Sequence, residues 1–157
     1  MEKHKGGFKP NIAEHEIEKR FRKQHISVCD MGDLFGAWIL KDWILKVLKA
    51  VRNSPSSYFF FLTKNPKRYF EFLKVFPKNL VLRAIIETNI DYKVSSAPSV
   101  IKRYECFVGI PYHNKMVSIE PIMEFNLDVF VGWFKELFPL LVHMGYANLI
   151  SIFLNQL

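Results

Sequence analysis

Cysteine is scarce in this chain. Only Cys29 and Cys106 occur among 157 residues, far apart and outside any close-spaced ligand motif. A zinc or disulfide framework of clustered thiols is therefore excluded, and two isolated cysteines without a signal peptide fit a reducing cytosol. Both read as small buried apolar residues. The nucleotide-binding signatures GxGxxG and GxxxxGKS are also missing, so neither marks an open nucleotide-binding sheet here. There is no internal repeat, no low-complexity segment and no long basic tract. No two histidines have metal-ligand spacing, and no Ser, His and Asp triad can be assigned from residue order. His15 reads as part of a solvated helix face, and His143 as a satisfied core histidine.

What is present is apolar. Half of the residues are hydrophobic and 15 are Phe, enough for one packed domain at this length. The net charge of +7 points toward phosphates or acidic surfaces but says nothing of fold. Its carriers, among them Lys3, Lys9, Lys19, Arg20, Lys64, Lys67, Arg68, Lys102 and Arg103, read either as a solvated basic surface or as a nucleic-acid site. Residues 137–157 lack Asp, Glu, Lys and Arg, which raises the question of a membrane span. Pro139, His143, Gly145, Asn148, Asn155 and Gln156 interrupt the run, and LLVHM at 140–144 reads better as a buried strand. The expectation is a cytoplasmic chain without a membrane segment.

Residues 1–10 are polar, carry Gly6 and Gly7, and read as a flexible lead-in to one domain over 11–157. Asn11 can cap a helix to about residue 22 with Ile12, Ile17 and Phe21 as its apolar stripe. Strands are expected at about 26–29, 58–62, 80–86, 117–119 and 140–144, with a weaker one at 106–110. Leu40, Trp43, Ile44, Val47, Leu48 and Val51 repeat at helical spacing, and Asn53, Ser54 and Pro55 stop that helix. Asn65 and Pro66 suit the cap and first turn of a helix burying Tyr69, Phe72, Leu73 and Phe76. A short helix around 99–104 follows, then one from Asn126 that buries Phe130, Val131, Phe134 and Phe138. Repeated strand, loop and helix units imply parallel strands with right-handed crossovers. The fold class is α/β, with a partial TIM-like (β/α) barrel of about five to six strands as the alternative to an open doubly wound sheet.

Three apolar runs end on polar clusters: ISVCDMGDLF at 26–35, YFFFLTKNP at 58–66 and MVSIEP at 116–121. Parallel sheets build sites at the carboxyl ends of their strands. Asp30 and Asp33 flank Met31 and Gly32 on the first loop, Thr63 and Lys64 follow the second strand, and Glu87 and Glu120 end later ones. Carboxylates at one mouth can hold an amine, bind a metal or trade a proton. Equally, Asp33 can cap the next helix and Glu120 can bond local backbone. Lys64 would meet a carboxylate or phosphate, and Ser118, Asn89 and Asn148 are further polar rim candidates.

The strings SVCDMGDLFGAWI, FFFLTKNPKRYFEFL and MVSIEP, in this order and spacing, resemble a phage-associated family of unknown function among the radical S-adenosylmethionine barrel proteins. Spore photoproduct lyase-like enzymes are its nearest well-understood relatives. The resemblance runs from about residue 8 to 148. It implies an incomplete (β/α) barrel with S-adenosylmethionine across the strand ends, beside a four-iron cluster. Met31, Gly32 and Asp33 then match the segment that meets the methionyl amine. Asp30, Thr63, Lys64, Glu87, Ser118 and Glu120 would be further cofactor-binding residues.

The departure from that pattern is the C-x₃-C-x₂-C triplet, which is absent. Thiolates hold iron–sulfur clusters, and Cys29 and Cys106 cannot replace three closely spaced ones. The expectation is a chain truncated at its amino terminus and catalytically incomplete alone, with no metal ligands and no assigned catalytic residue. For the lone chain no cofactor is expected, unless affinity for S-adenosylmethionine remains. The expected partners are a second copy or a missing amino-terminal segment. The alternative is a nucleic-acid-binding module using Lys64, Lys67, Arg68, Lys102 and Arg103.

Overall fold

The computed structural model describes residues 12–29, 32–93, 95–145 and the backbone of 150–153. Strands β1 (His25–Val28), β2 (Tyr58–Thr63), β3 (Leu80–Ile85), β4 (Lys115–Ile119) and β5 (Leu141–Met144) lie parallel in that order. Strand β6 (Ile150–Phe153) returns antiparallel beside β5. Helices α1 (Glu14–Ile17), α2 (Lys41–Arg52), α3 (Val100–Val108) and α4 (Leu127–Leu137), with a 3₁₀ helix at Pro66–Val75, flank the sheet. The fold is α/β, as the alternation of strand and helix patterns required.

Strand order follows chain order, and right-handed crossovers between such strands deposit every connecting helix on the same face. That is the winding of one arc of a (β/α) barrel. Among the described residues the sheet stays open, because β1 pairs with β2 alone. Strand register assigns Val28, Phe61, Leu82 and Lys115 to the helix-covered face, together with Ala84, Val117 and Val142. The opposite face carries Ser27, Phe60 and Val81 toward one end, and Arg83, Met116, Ser118 and His143 toward the other.

The core lies between sheet and helices. Ile44, Leu48 and Val51 on α2 are buried at helical spacing, as expected, and each such side chain contributes about 1.5–3 kcal/mol on leaving water. Phe35 packs on Tyr69 with ring centroids 4.5 Å apart, on Phe61 at 5.7 Å and on Phe72 at 5.8 Å. Lys115 enters this apolar side too, because its Nζ donates to the carbonyls of Phe107, Val108 and Ile110 at 3.1, 3.3 and 3.2 Å. The lysine thereby satisfies the orphan carbonyls at the end of α3.

Several expected elements differ. The first helix ends at Ile17, spanning Glu14–Ile17, rather than running on to about residue 22. Ala13 supplies no side-chain cap, short helices are marginal, and Phe21 instead sets its ring edge-on to Phe59 at 5.8 Å. Residues 106–108 belong to α3, not to a strand: Val100, Arg103, Tyr104 and Phe107 are buried at helical spacing. Asn65 does not cap the 3₁₀ helix; its Nδ2 donates to Phe35 O at 3.0 Å. On α4, Phe130 and Leu137 are buried, whereas Val131 is exposed and Phe138 is 72% exposed. Phe138 adopts φ 47°, which ends the helix and turns that ring away from the core. Cys29 is exposed and Cys106 half-buried, so neither is the fully buried thiol expected. Residues 1–10, the expected cap Asn11, Asp30, Met31 and Asn148 lie outside the described residues.

The buried phenol of Tyr69 and the partly buried one of Tyr112 make the fold sensitive to alkali. Tyr69 OH donates to Phe61 O at 2.6 Å and to Arg83 O at 3.0 Å. Tyr112 OH donates to Pro77 O at 3.0 Å and to Leu80 O at 3.1 Å. Burial pushes Tyr112 up to about 12; burial first, then the charge of Asp33, pushes Tyr69 well above an ordinary phenol. With both folded values above the unfolded one, their stabilisation is complete below pH 10 and is lost as pH rises toward 12. Burial lowers Lys115 and acts in the opposite sense, adding stability as pH approaches 10.5. The expected result is a urea midpoint that falls above pH 10, less steeply in Tyr112→Phe; a midpoint flat to pH 12 would contradict this.

Candidate functional site

The loop after β1 and the ends of β2 and β3 form one polar chain. Asp33 Oδ1 accepts from Phe35 N at 2.9 Å, an Asx-type turn, while Oδ2 accepts from Thr63 Oγ1 and Lys64 N, both at 2.9 Å. Thr63 Oγ1 in turn accepts from Asn65 N at 2.8 Å. Arg68 then donates to the carbonyls of Gly36 and Ile39. The loop 33–39 is thus clamped to the end of β2, and Asp33 bridges two strands rather than capping α2.

Glu87 continues the chain. Arg103 on α3 grips it through Nη1–Oε2 at 2.8 Å and Nη2–Oε1 at 3.0 Å, and also donates to Ile85 O at 2.7 Å. Both residues are 4% exposed. Lys64 Nζ approaches the same carboxylate at 3.8 Å from a more open position. Thr88 Oγ1 donates to Glu124 O at 2.6 Å, and Asn89 Oδ1 accepts from Asn126 N at 2.9 Å. These bonds tie the loop after β3 to the loop after β4.

A second polar group spans β3 to β5 on the face without described helices. Arg83 Nη2 donates to Ser118 Oγ at 3.0 Å, Ser118 Oγ lies 3.4 Å from His143 Nδ1, and that nitrogen is 2.6 Å from Glu120 Oε1. Ser118 and His143 face each other because they are register partners in β4 and β5.

The expected site residues therefore fall into two groups. Asp33, Thr63, Lys64 and Glu87 meet across β1 to β3; Ser118 and Glu120 meet across β4 and β5. Gly32 lies on the first loop, where its amide donates to Cys29 O at 2.9 Å. Sequence reasoning did not name Arg83, took Arg103 for a nucleic-acid candidate rather than a partner of Glu87, and read His143 as a satisfied core histidine without finding its partners. Their signal was a charged or titratable side chain inside an otherwise apolar strand or helix face, which needs a buried partner. Of the basic residues offered for nucleic acid, Arg68 and Arg103 are occupied by protein acceptors, whereas Lys67 and Lys102 are exposed.

Although Cys29 is exposed as a residue, its thiol is partly screened from water, and that desolvation first, then the charge of Asp33, pushes it up, away from the thiolate that ligates metals. Among the described residues no three His, Cys, Asp or Glu side chains are placed to hold a metal ion.

A family model described as a protein of unknown function, DUF5131, matches residues 4–133. The chain belongs to this family. No curated protein and no solved structure matches it. The DUF5131 span covers β1 to β4, and therefore Gly32, Asp33, Thr63, Lys64, Glu87, Ser118 and Glu120, while His143 on β5 lies beyond it. Among the described residues, no helix of this DUF5131 chain is long and apolar enough to cross a membrane.

Proposed function

We propose that this DUF5131 chain is a radical S-adenosylmethionine-like barrel domain of the phage-associated kind, whose strand ends retain part of the cofactor pocket. One observation carries the reading: five parallel strands in chain order deliver Gly32, Asp33, Thr63, Lys64, Glu87 and Glu120 at or just beyond their carboxyl ends. Parallel α/β sheets bind ligands there.

The donor set suits the methionyl end of S-adenosylmethionine, which carries an ammonium and a carboxylate. Lys64 after β2 and Glu120 after β4, with side chains 34% and 31% exposed, are the opposite charges proposed for its two ends, and the Gly32 segment lets the backbone approach. Asp33, Thr63 and Glu87 keep the rim in shape through the bonds above. The donor set does not suit a four-iron cluster, because Cys29 and Cys106 are the chain's only thiols and three close thiolates are needed. Reductive cleavage by the lone chain is accordingly not part of the proposal.

Equilibrium dialysis with S-adenosylmethionine should detect binding that Lys64→Ala and Glu120→Gln each weaken; no binding by the folded wild type would sink the pocket. Anaerobic reconstitution with iron and sulfide should yield neither a stoichiometric four-iron cluster nor 5′-deoxyadenosine. Obtaining both would overturn the claim of incompleteness. Salt-dependent binding to DNA or RNA that disappears when Lys64, Lys67 and Lys102 are neutralised would instead favour a nucleic-acid module.

A further inference from the structure

His143 has a geometry that a merely packed core histidine does not need. Its Nδ1 is 2.6 Å from Glu120 Oε1, and its side chain is 12% exposed. An ionised carboxylate can only accept, so Nδ1 carries the proton, and Nε2 keeps a lone pair that meets no hydrogen-bond donor among the described residues. The orientation is determined twice over. Ser118 Oγ sits 3.4 Å from the same Nδ1 and is itself held by Arg83 Nη2 at 3.0 Å. Strand pairing also fixes His143 opposite Ser118. A carboxylate behind one imidazole nitrogen and a lone pair on the other is the arrangement of a general base.

We propose that His143 is a proton acceptor on the sheet face without described helices, oriented by Glu120 and Ser118. Its ligand is an organic molecule with a hydroxyl or amine hydrogen at one end and an apolar body at the other. The apolar part is recognised by Phe60, Leu62 and Ile85, which share that face by register and are all half-buried rather than sealed. In the step, the ligand O–H or N–H proton passes to Nε2 and its electron pair remains on the ligand oxygen or nitrogen. The imidazolium so formed is stabilised by the Glu120 carboxylate. Nothing in this step requires S-adenosylmethionine, although it shares Glu120 with the pocket proposed above, so tautomer and modification are read without the cofactor.

Two measurements on the intact chain test it. In nitrogen-15-labelled protein, at a pH where imidazoles are neutral, His143 should show the Nδ1-protonated tautomer. In Glu120→Ala it should revert to the Nε2-protonated form, with Ser118 now donating to Nδ1. The opposite tautomer in the wild type would overturn the proposal without reliance on any variant. Diethyl pyrocarbonate should carbethoxylate His143 of the wild type, read by peptide mass spectrometry, and the rate should drop roughly tenfold in Glu120→Ala. A His143 that stays unmodified while exposed His15 reacts would show a pair that only ties β4 to β5. Modification that S-adenosylmethionine fails to slow would support the proton acceptor and count against the cofactor pocket alone.

Discussion

Removing the Glu87 carboxylate should destabilise the protein by about 3–5 kcal/mol, the usual cost of leaving one partner of a buried ion pair uncompensated. Arg103 is 4% exposed and receives two bonds' worth of its compensation from Glu87. After Glu87→Ala, its charge would keep only the Ile85 carbonyl at 2.7 Å among its bonds to the β3 end. Lys64 cannot take the place of the lost partner, because it is a cation as well. The paired change Glu87→Leu with Arg103→Met should recover most of the loss, since apolar side chains of similar volume replace buried ion pairs at little cost. Urea denaturation of the two single variants and the double variant checks this. A double variant as unstable as the worse single one would show that the pair does more than neutralise itself.

Asp33→Ala should be nearly as damaging, at about 3–5 kcal/mol. Its carboxylate accepts three bonds, from Phe35 N, Thr63 Oγ1 and Lys64 N, and bonds to a charged group contribute about 1.5–3 kcal/mol each, with losses that are not additive. Asp33→Asn should fall between wild type and alanine, because an amide keeps one acceptor oxygen and turns the other position into a donor facing donors. The damage would spread along loop 33–39, which places Phe35 among Phe61, Tyr69 and Phe72. Hydrogen exchange at the Phe35 and Lys64 amides should rise together in both variants. Protection that persists at Lys64 while Phe35 is lost would show that the turn and the strand bridge act separately.

These two expectations change the meaning of the polar strand ends. Asp33 and Glu87 stand where a ligand rim was expected, yet every oxygen of both accepts a bond from the protein. Lys64, Glu120 and His143 are the charged or titratable members with part of their side chains open. The rim is thus a rigid frame carrying a few available groups, which is how sites are kept in working geometry.

The legible parts of the sequence were those governed by local pattern. The run YFFFLT became β2 because a short apolar stretch rich in aromatics suits a strand covered by helices. The spacing of Ile44, Leu48 and Val51 could only close as one buried helical face. Pattern failed where competing contacts were stronger than the local preference. Phe21 left the predicted first helix for Phe59, and Cys106 stayed helical because Tyr104 and Phe107 needed the core.

By itself, then, the sequence determined the α/β class, the order of the five parallel strands, and the fact that polar residues crowd the strand ends, but neither the helical state of residues 106–108 nor the antiparallel β6. Only the tertiary structure decided which of those residues would meet. Glu87 found Arg103 on a helix, Asp33 found Thr63 and Lys64 on the next strand, and His143 found Ser118 and Glu120 across a crossover. Hydrophobic periodicity is a property of neighbouring residues and survives in one dimension. Polar pairing depends on strand register and helix placement, which join residues distant along the chain, and so it exists only once the sheet has formed.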